Sequence, residues 1–328
     1  MKAPKRFHSI LAEPLEAFVV LKRALGCRFE TEERQLRMLD RFVIAQGITT
    51  LEALSPGLVE AFLASRPRIR PKSYNHLLRL VRRFFGWMVL QEMLPSCPVR
   101  ARTRRETGPR VPVIFDVPIM RSLLELTLEL PDCSRAPLRG PSYRLAFVLM
   151  YGLGLRVGEV HRLRIMDIDL DRQTLRVHES KFQKSRLLPF GPHLATALRE
   201  FLELRRTRWG DPSEDAPLLT FNGRHAVSAN RISSTFQRLM PRLGFADRKG
   251  PGTPRAHDLR HSFAVGTLLR WYREGIEPGE RLLYLSTFLG HVGIHSTAVY
   301  LTITSELLHE AGCRFEPYAA ATLGREVR

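Results

Sequence analysis

The stretch PSCPVRARTRRETGPRVP, Pro95–Pro112, constrains the fold of this chain more than any other. It holds four prolines and five arginines. Its apolar residues follow neither a helical nor a strand period, so it has no face to bury. Each proline also removes a backbone donor. One continuous core therefore does not run through it. The chain has 328 residues, so each side is long enough for a core of its own. The expected organisation is a helical domain over residues 1–98, a basic linker over 99–112 and a second domain over 113–328.

The first domain reads as four helices. Pro14 to Gly26 carries Leu15, Phe18, Val19 and Leu25, and Thr31 to Gln46 repeats Leu36, Leu39, Phe42 and Val43 at helical spacing. Ser55-Pro56 predicts an N-cap with proline at the first helical position, opening a helix to about Ala64. A long helix is expected from about Lys72 to Met93. One face bears Leu77, Leu80, Val81, Phe84, Phe85 and Met88; the other bears Lys72, Asn75, His76, Arg79, Arg82 and Arg83.

That second face belongs to an uneven charge. The chain carries 51 Lys/Arg against 33 Asp/Glu, a net +18. Arg66 to Arg110 alone holds twelve basic and two acidic residues. Clustered cations suit a polyanion, because neutralising a row of phosphates releases counterions. Lys72, Asn75, Arg79, Arg82 and Arg83 are thus the candidate DNA-binding residues, with a merely solvated helix face as the alternative. An anionic membrane surface would also attract such charge. The longest apolar run, Leu145 to Leu155, is too short to span a bilayer and includes two glycines. Cys27, Cys97, Cys133 and Cys313 lie far apart with no CxxC pair, which suggests neither a zinc site nor a disulfide framework. A soluble, intracellular (cytosolic) protein with a polyanion partner, either nucleic acid or an anionic membrane surface, is expected.

The second domain is mixed. Asp116 can cap a helix to about Leu130, another spans Ser142 to Tyr151, and a third runs from Pro192 to Arg208. QTLRVHES and SRLLPF read as paired short strands, LLTF as a further strand, and helices follow Ser228. The fold class is mainly α with a small antiparallel β-sheet, an α+β protein.

Four stretches carry the chemistry: GLGLRVGEVHRLRIMDID around Arg156, HESKFQKSRLLPF around Lys181, HDLRHSF at His257–Phe263, and LGHVGIHSTAVYL with His291 and Tyr300. A dinucleotide fingerprint fits GLGLRVG poorly, since its third glycine is one place late and the preceding segment reads helical. His257/His261 and His291/His295 are i,i+4 pairs, but neither has the HExxH carboxylate, and an arginine inside the first pair repels a cation.

Taken together, these stretches resemble the tyrosine recombinase (phage integrase) family, over about Val113 to Leu301 and in outline over the helical N-terminal segment. The resemblance implies a helical core-binding domain followed by a catalytic domain. It implies six catalytic positions: Arg156, with Glu159 as an acidic support; Lys181 of a β-hairpin, followed by Lys184, Arg186 and Pro189; His257 and Arg260 as the H-x-x-R pair; His291; and the nucleophile Tyr300. The residue types suit attack on a phosphodiester. Two guanidiniums can hold the non-bridging oxygens, a tyrosine needs its proton removed, and His257 is the candidate base. Lys181 is the candidate acid for the leaving 5′-oxygen, and His291 can donate to the phosphate. No metal or cofactor is implied.

His261 is expected to be structural or supporting, and His295 a packing or surface residue. Two features depart from the family. Ser180 and Phe182 stand where glycines usually flank the hairpin lysine, which makes Lys184 the fallback. The interval from Arg260 to His291 is several residues longer than usual, with the excess at Glu274–Arg281, expected to mark a transposon-associated branch and to touch a neighbouring subunit. The tail after Tyr300 carries a short amphipathic helix near Ser305 to Ala311. The resemblance implies that it couples protomers in a homo- or hetero-tetramer on DNA. Strand-passing enzymes of the type IB topoisomerase or telomere resolvase kind share this chemistry. A non-catalytic DNA-binding accessory protein would share the scaffold.

Overall fold

The computed structural model describes residues 7–66, 68, 70–106, 110–178, 185–245, 253–291, 293–302 and 304–323, with side chains except those of 302, 314–315 and 317–323. Lys181 and Lys184 lie outside the described residues. The chain divides into two compact units, Met1–Pro109 and Arg110–Arg328.

The first unit contains α1 (Ala12–Ala24), α2 (Glu30–Ala45), α3 (Pro56–Ala64) and α4 (Pro71–Leu90). Local chemistry sets their starts. Ser55 Oγ accepts from the Leu58 amide ahead of Pro56, and Glu30, Glu32 and Glu33 crowd the first turn of α2, where acids complement the helix dipole. The apolar stripes meet in one core that includes Phe18, Leu36, Val43, Phe62, Leu77 and Phe84. Phe18 and Phe84 meet edge to face with centroids 5.5 Å apart.

Residues read from composition as the start of a linker lie along α4. Val99 is buried. The Arg104 guanidinium sits 3.9 Å from the centre of the Tyr74 ring. Asn75 is buried and is not part of the exposed basic face, which corrects the expectation for that residue. Its amide donates to the Arg104 carbonyl (2.8 Å) and to Glu106 Oε1 (2.9 Å), and its Oδ1 accepts from the Arg104 amide (2.8 Å). A segment aligned on the helix occupies it with hydrogen bonds that a phosphate would have to displace. Lys72, His76, Arg79, Arg82 and Arg83 are exposed.

In the second unit, α5 (Val117–Leu128) starts at Asp116, whose carboxylate accepts from the Ile119 amide at 2.9 Å. Next come α6 (Arg139–Gly152), α7 (Val157–Arg162), and the strands β1 (Ile168–Asp169), β2 (Thr174–Val177) and β3 (Arg186–Pro189). The sheet is antiparallel in the order β1-β2-β3, with Leu175 opposite Leu188. Leu175, Val177 and Leu188 are buried. Then follow α8 (Pro192–Trp209), α9 (Ala229–Leu239), α10 (Ala256–Arg273), α11 (Pro278–Leu289), α12 (His295–Ala298) and α13 (Ser305–Leu323).

Helix α10 packs on α6 and also touches α13. LLTF is not a strand. Thr220 makes only an isolated bridge to Ala226, because this segment's other backbone bonds go singly to Leu163 and Val227. Helix α13 continues well past Ala311, despite Pro317 in its sequence. The excess at Glu274–Arg281 is a turn closed by Gly275 (φ +76°) and the first turn of α11. Among the described residues no helix is long and apolar enough to cross a membrane.

Candidate active site

Arg156 precedes α7 as its N-cap, and Glu159 lies three residues on, so the two meet across the first turn. Glu159 Oε2 accepts the Arg156 amide at 2.9 Å, and Oε1 accepts Arg156 Nη1 at 2.7 Å. Arg186, the first residue of β3, reaches the same carboxylate with both terminal nitrogens, at 3.1 and 3.0 Å. Arg260 Nη1 lies 3.9 Å from Oε2. One buried carboxylate thus organises three guanidiniums. Burial alone would raise the Glu159 pKa; hydrogen bonds and charge from Arg186 and Arg156 overcome that and hold it at about 2.

Backbone carbonyls finish the positioning. Arg260, fully buried, donates to the Gly154 and Leu289 carbonyls, each at 2.6 Å. Arg156 Nη2 donates to the Gly290 carbonyl at 3.0 Å, and Arg186 Nε to that of Phe288 at 2.8 Å. Gly154 (φ +60°) and Gly290 (φ +65°) are left-handed. A Cβ at Gly154 would lie 2.6 Å from the Phe263 ring, and one at Gly290 2.8 Å from Arg186 Nη1. The glycines of GLGLR and LGH therefore aim carbonyls at arginines.

Three arginines face one carboxylate, which leaves an excess of positive charge. Desolvation, then Arg156, push the Arg260 pKa down to about 9, leaving it charged at neutral pH. Its Nε is buried without a hydrogen-bond partner among the described residues. A buried orphan donor in positively charged surroundings suits an anion.

Tyr300 follows α12 in a single 3-10 turn, Val299–Thr302. Its ring joins a core cluster with Val265, Leu268 and Leu289, and the residue is 3% exposed. Burial raises the phenol pKa, while Arg260 and Arg156 pull it back. The hydroxyl is 2.8 Å from His261 Nδ1.

His291 stacks nearly parallel to Tyr300, with centroids 6.4 Å apart, and its Nδ1 lies 2.7 Å from the hydroxyl of the buried Thr297. Desolvation, then Arg260 and Arg156, lower the His291 pKa to about 4. His257 is exposed at the edge of the cluster, its ring edge-on to His261 at 4.8 Å. Loss of solvent around its inner side, followed by His261, Arg260 and Arg156, holds its pKa at about 4. The imidazoles of His257 and His291 are therefore neutral at pH 7 in the free protein.

Arg156, Glu159, His257, Arg260, His291 and Tyr300 thus converge in the second unit, although the outermost are 144 positions apart in sequence. His295 is exposed on α12. Sequence reasoning gave too little weight to Arg186 and to His261. The available signal for His261 was its place one turn after His257 on a helix that also carries Arg260.

The start of α10 is clamped as well. Arg110 pairs with the buried Asp258 through both terminal nitrogens, at 3.0 and 2.8 Å, and also donates to the Thr253 carbonyl.

Comparison with known proteins shows the family and the fold. The family model described as the phage integrase family matches residues 132–306. An integrase/recombinase of Sinorhizobium fredii, y4rB, is 32% identical over 322 residues, covering 94% of this chain and 98% of that protein. The tyrosine recombinase XerD of Ralstonia nicotianae is 27% identical over 285 residues, 87% of this chain and 86% of its own. Among solved structures, the Tn1549 transposon integrase in complex with transposon right-end DNA superposes with a TM-score of 0.63 at 17% identity, covering 94% of this chain and 99% of that one. A lambda integrase dimer bound to a COC′ core site gives 0.62 at 18% identity, covering 88% and 76%. These two share the fold: mostly helical, with a small antiparallel sheet.

Proposed function

Because this chain belongs to the phage integrase family of tyrosine recombinases, we propose that it is a site-specific recombinase or integrase that cuts and rejoins double-stranded DNA through a 3′-phosphotyrosyl link on Tyr300, without metal or ATP. The observation that carries the reading is the meeting of a buried phenol with Arg156, Arg260 and His291 in surroundings with excess positive charge.

The Tyr300 oxygen attacks phosphorus and the bond to the 5′-oxygen breaks. Arg156 and Arg260 stabilise the charge that grows on the non-bridging oxygens. Each has N–H groups left after its bonds to backbone carbonyls, including the orphan Nε of Arg260. Thr297 can donate to His291 Nδ1, which leaves Nε2–H to face the phosphate. Lys181, by the family resemblance, protonates the leaving oxygen.

Sequence alone makes His257 the base. The geometry favours His257 as a phosphate partner, since among the described residues no hydrogen bond joins it to Tyr300. Glu159 holds the arginines. The phosphotyrosine conserves the bond energy, so the 5′-hydroxyl of a second strand can displace Tyr300. Arg260 and Tyr300 are almost closed to solvent, so entry of a phosphate has to shift the residues around the phenol.

Lys72, Arg79, Arg82 and Arg83 are proposed to meet DNA phosphates. The segment after Tyr300 is proposed to join protomers into a homo- or hetero-tetramer on DNA. The protein is proposed to work in the cytoplasm.

The test is a nicked-duplex trap. Duplexes drawn from the DNA flanking the coding sequence are incubated with the protein in EDTA and resolved on a denaturing gel. A covalent protein–DNA band is expected, and Tyr300→Phe is expected to abolish it. A band that survives Tyr300→Phe refutes the assignment.

A further inference from the structure

We infer that His261 is a catalytic residue: its Nδ1 takes the Tyr300 proton as that oxygen attacks phosphorus, and returns it when the tyrosine leaves. This rests on Tyr300 being the nucleophile.

The phenol has one proton to give, and little water reaches it at 3% exposure. Its cationic neighbours Arg156 and Arg260 can only donate. His291 Nδ1 is engaged by Thr297. Among the described residues, the ring nitrogen within hydrogen-bond distance of the Tyr300 hydroxyl is His261 Nδ1, at 2.8 Å. In the Nε2–H tautomer, the neutral form that can accept at Nδ1, the phenol proton points at His261. His261 is the residue after Arg260 on α10. A phosphate held by Arg260 thus keeps the attacking oxygen within reach of the same imidazole.

The surrounding charge suits a reversible acceptor. Desolvation lowers the His261 pKa, Asp258 raises it, and Arg260 and Arg110 lower it again. His257 lies against it edge-on. His261 is therefore neutral and ready to accept at rest. Once protonated beside Arg260, it gives the proton back readily, as rejoining requires.

The step balances. The Tyr300 O–H bond breaks and N–H forms at His261 Nδ1. O–P forms and P–O5′ breaks. The 5′-oxygen gains its proton from Lys181, the acid proposed above.

The test measures single-turnover cleavage by the full chain on two nicked duplexes, one natural and one with sulfur replacing the bridging 5′-oxygen. Sulfur leaves without protonation, so the second duplex reports on the nucleophile alone. His261→Asn keeps a polar atom near the Nδ1 position but cannot carry the proton; His261→Gln is the second variant. Duplex binding is measured for both, to select a folded one.

Cleavage is expected to fall by about a hundredfold on both duplexes, the usual scale for a lost general base. The deficit should shrink as pH rises and hydroxide ionises the phenol. Rates within about threefold of the parent, far below that scale, overturn the inference. So does faster cleavage, a deficit on the oxygen duplex alone, or one that does not change with pH. Failure of the underlying reading shows separately: the parent forms no adduct, or Tyr300→Phe still forms one, and the inference falls with it.

Discussion

Replacing Glu159 with glutamine should cost the second unit about 3 kcal/mol of stability at pH 7. The carboxylate is buried, paired in both oxygens with Arg186, and bonded to the side chain and amide of Arg156. Its pKa falls from the usual 4.5 to about 2. At 1.36 kcal/mol per pH unit that difference corresponds to ~3 kcal/mol. Removing one partner of a buried pair independently costs about 3–5 kcal/mol, because it strands the opposite charge. Here it strands three guanidiniums.

The sign follows from linkage. A depressed carboxylate pKa contributes stability that is complete above 4.5 and is lost as pH falls towards about 2. Chemical unfolding followed by fluorescence, with Trp209 and Trp271 reporting on this unit, should show the gap between parent and Glu159→Gln wide at pH 7. It should narrow below pH 4.5. A gap under about 1 kcal/mol at pH 7, the scale of an exposed pair, or one unchanged at acid pH, refutes the reasoning.

Gly290→Ala should destabilise the same unit by ~2 kcal/mol or more: a left-handed residue with a Cβ costs about 1–2 kcal/mol, and the new atom meets Arg186, pinned between Glu159 and the Phe288 carbonyl. Thermal unfolding tests this. Thr297→Val should leave duplex binding intact and slow covalent adduct formation by about tenfold, the lower end of what loss of a histidine's orienting partner costs in metal sites; Thr297→Ser should restore the rate. Arg79→Ala and Arg83→Ala should each weaken duplex binding and reduce the slope of log affinity against log salt by about one, measured by titration at several salt concentrations.

Arg156, His257, Arg260, His291 and Tyr300, which the fold brings together, were legible as a group because each sits in a short stretch whose residue types suit one reaction, and because their order and spacing agree with one another. Helix positions were legible where a cap or proline marks the start, as at Ser55-Pro56 and Asp116. The tail helix runs on to Leu323, well past the Ala311 expected from its amphipathic pattern, and Gly312 and Pro317 lie within it.

Asn75 misled for a different reason. Its residue type and its spacing from Arg79 favour exposure. Only the folded chain shows that residues 104–106 lie over it and satisfy its amide. Likewise Glu159 reads as a partner for its helical neighbour, while its bond to Arg186 depends on where β3 begins relative to α7.

The sequence alone determined the kinds of chemistry present, the helical periods and the excess of positive charge, since these are local or additive properties. Tertiary structure decided which imidazole meets the phenol. His257 and His261 are one turn apart on α10, and local sequence cannot say which of them faces Tyr300, 39 residues beyond His261. That choice belongs to the packing of the Tyr300 turn against α10, and a contact so distant in sequence exists only once the core has closed.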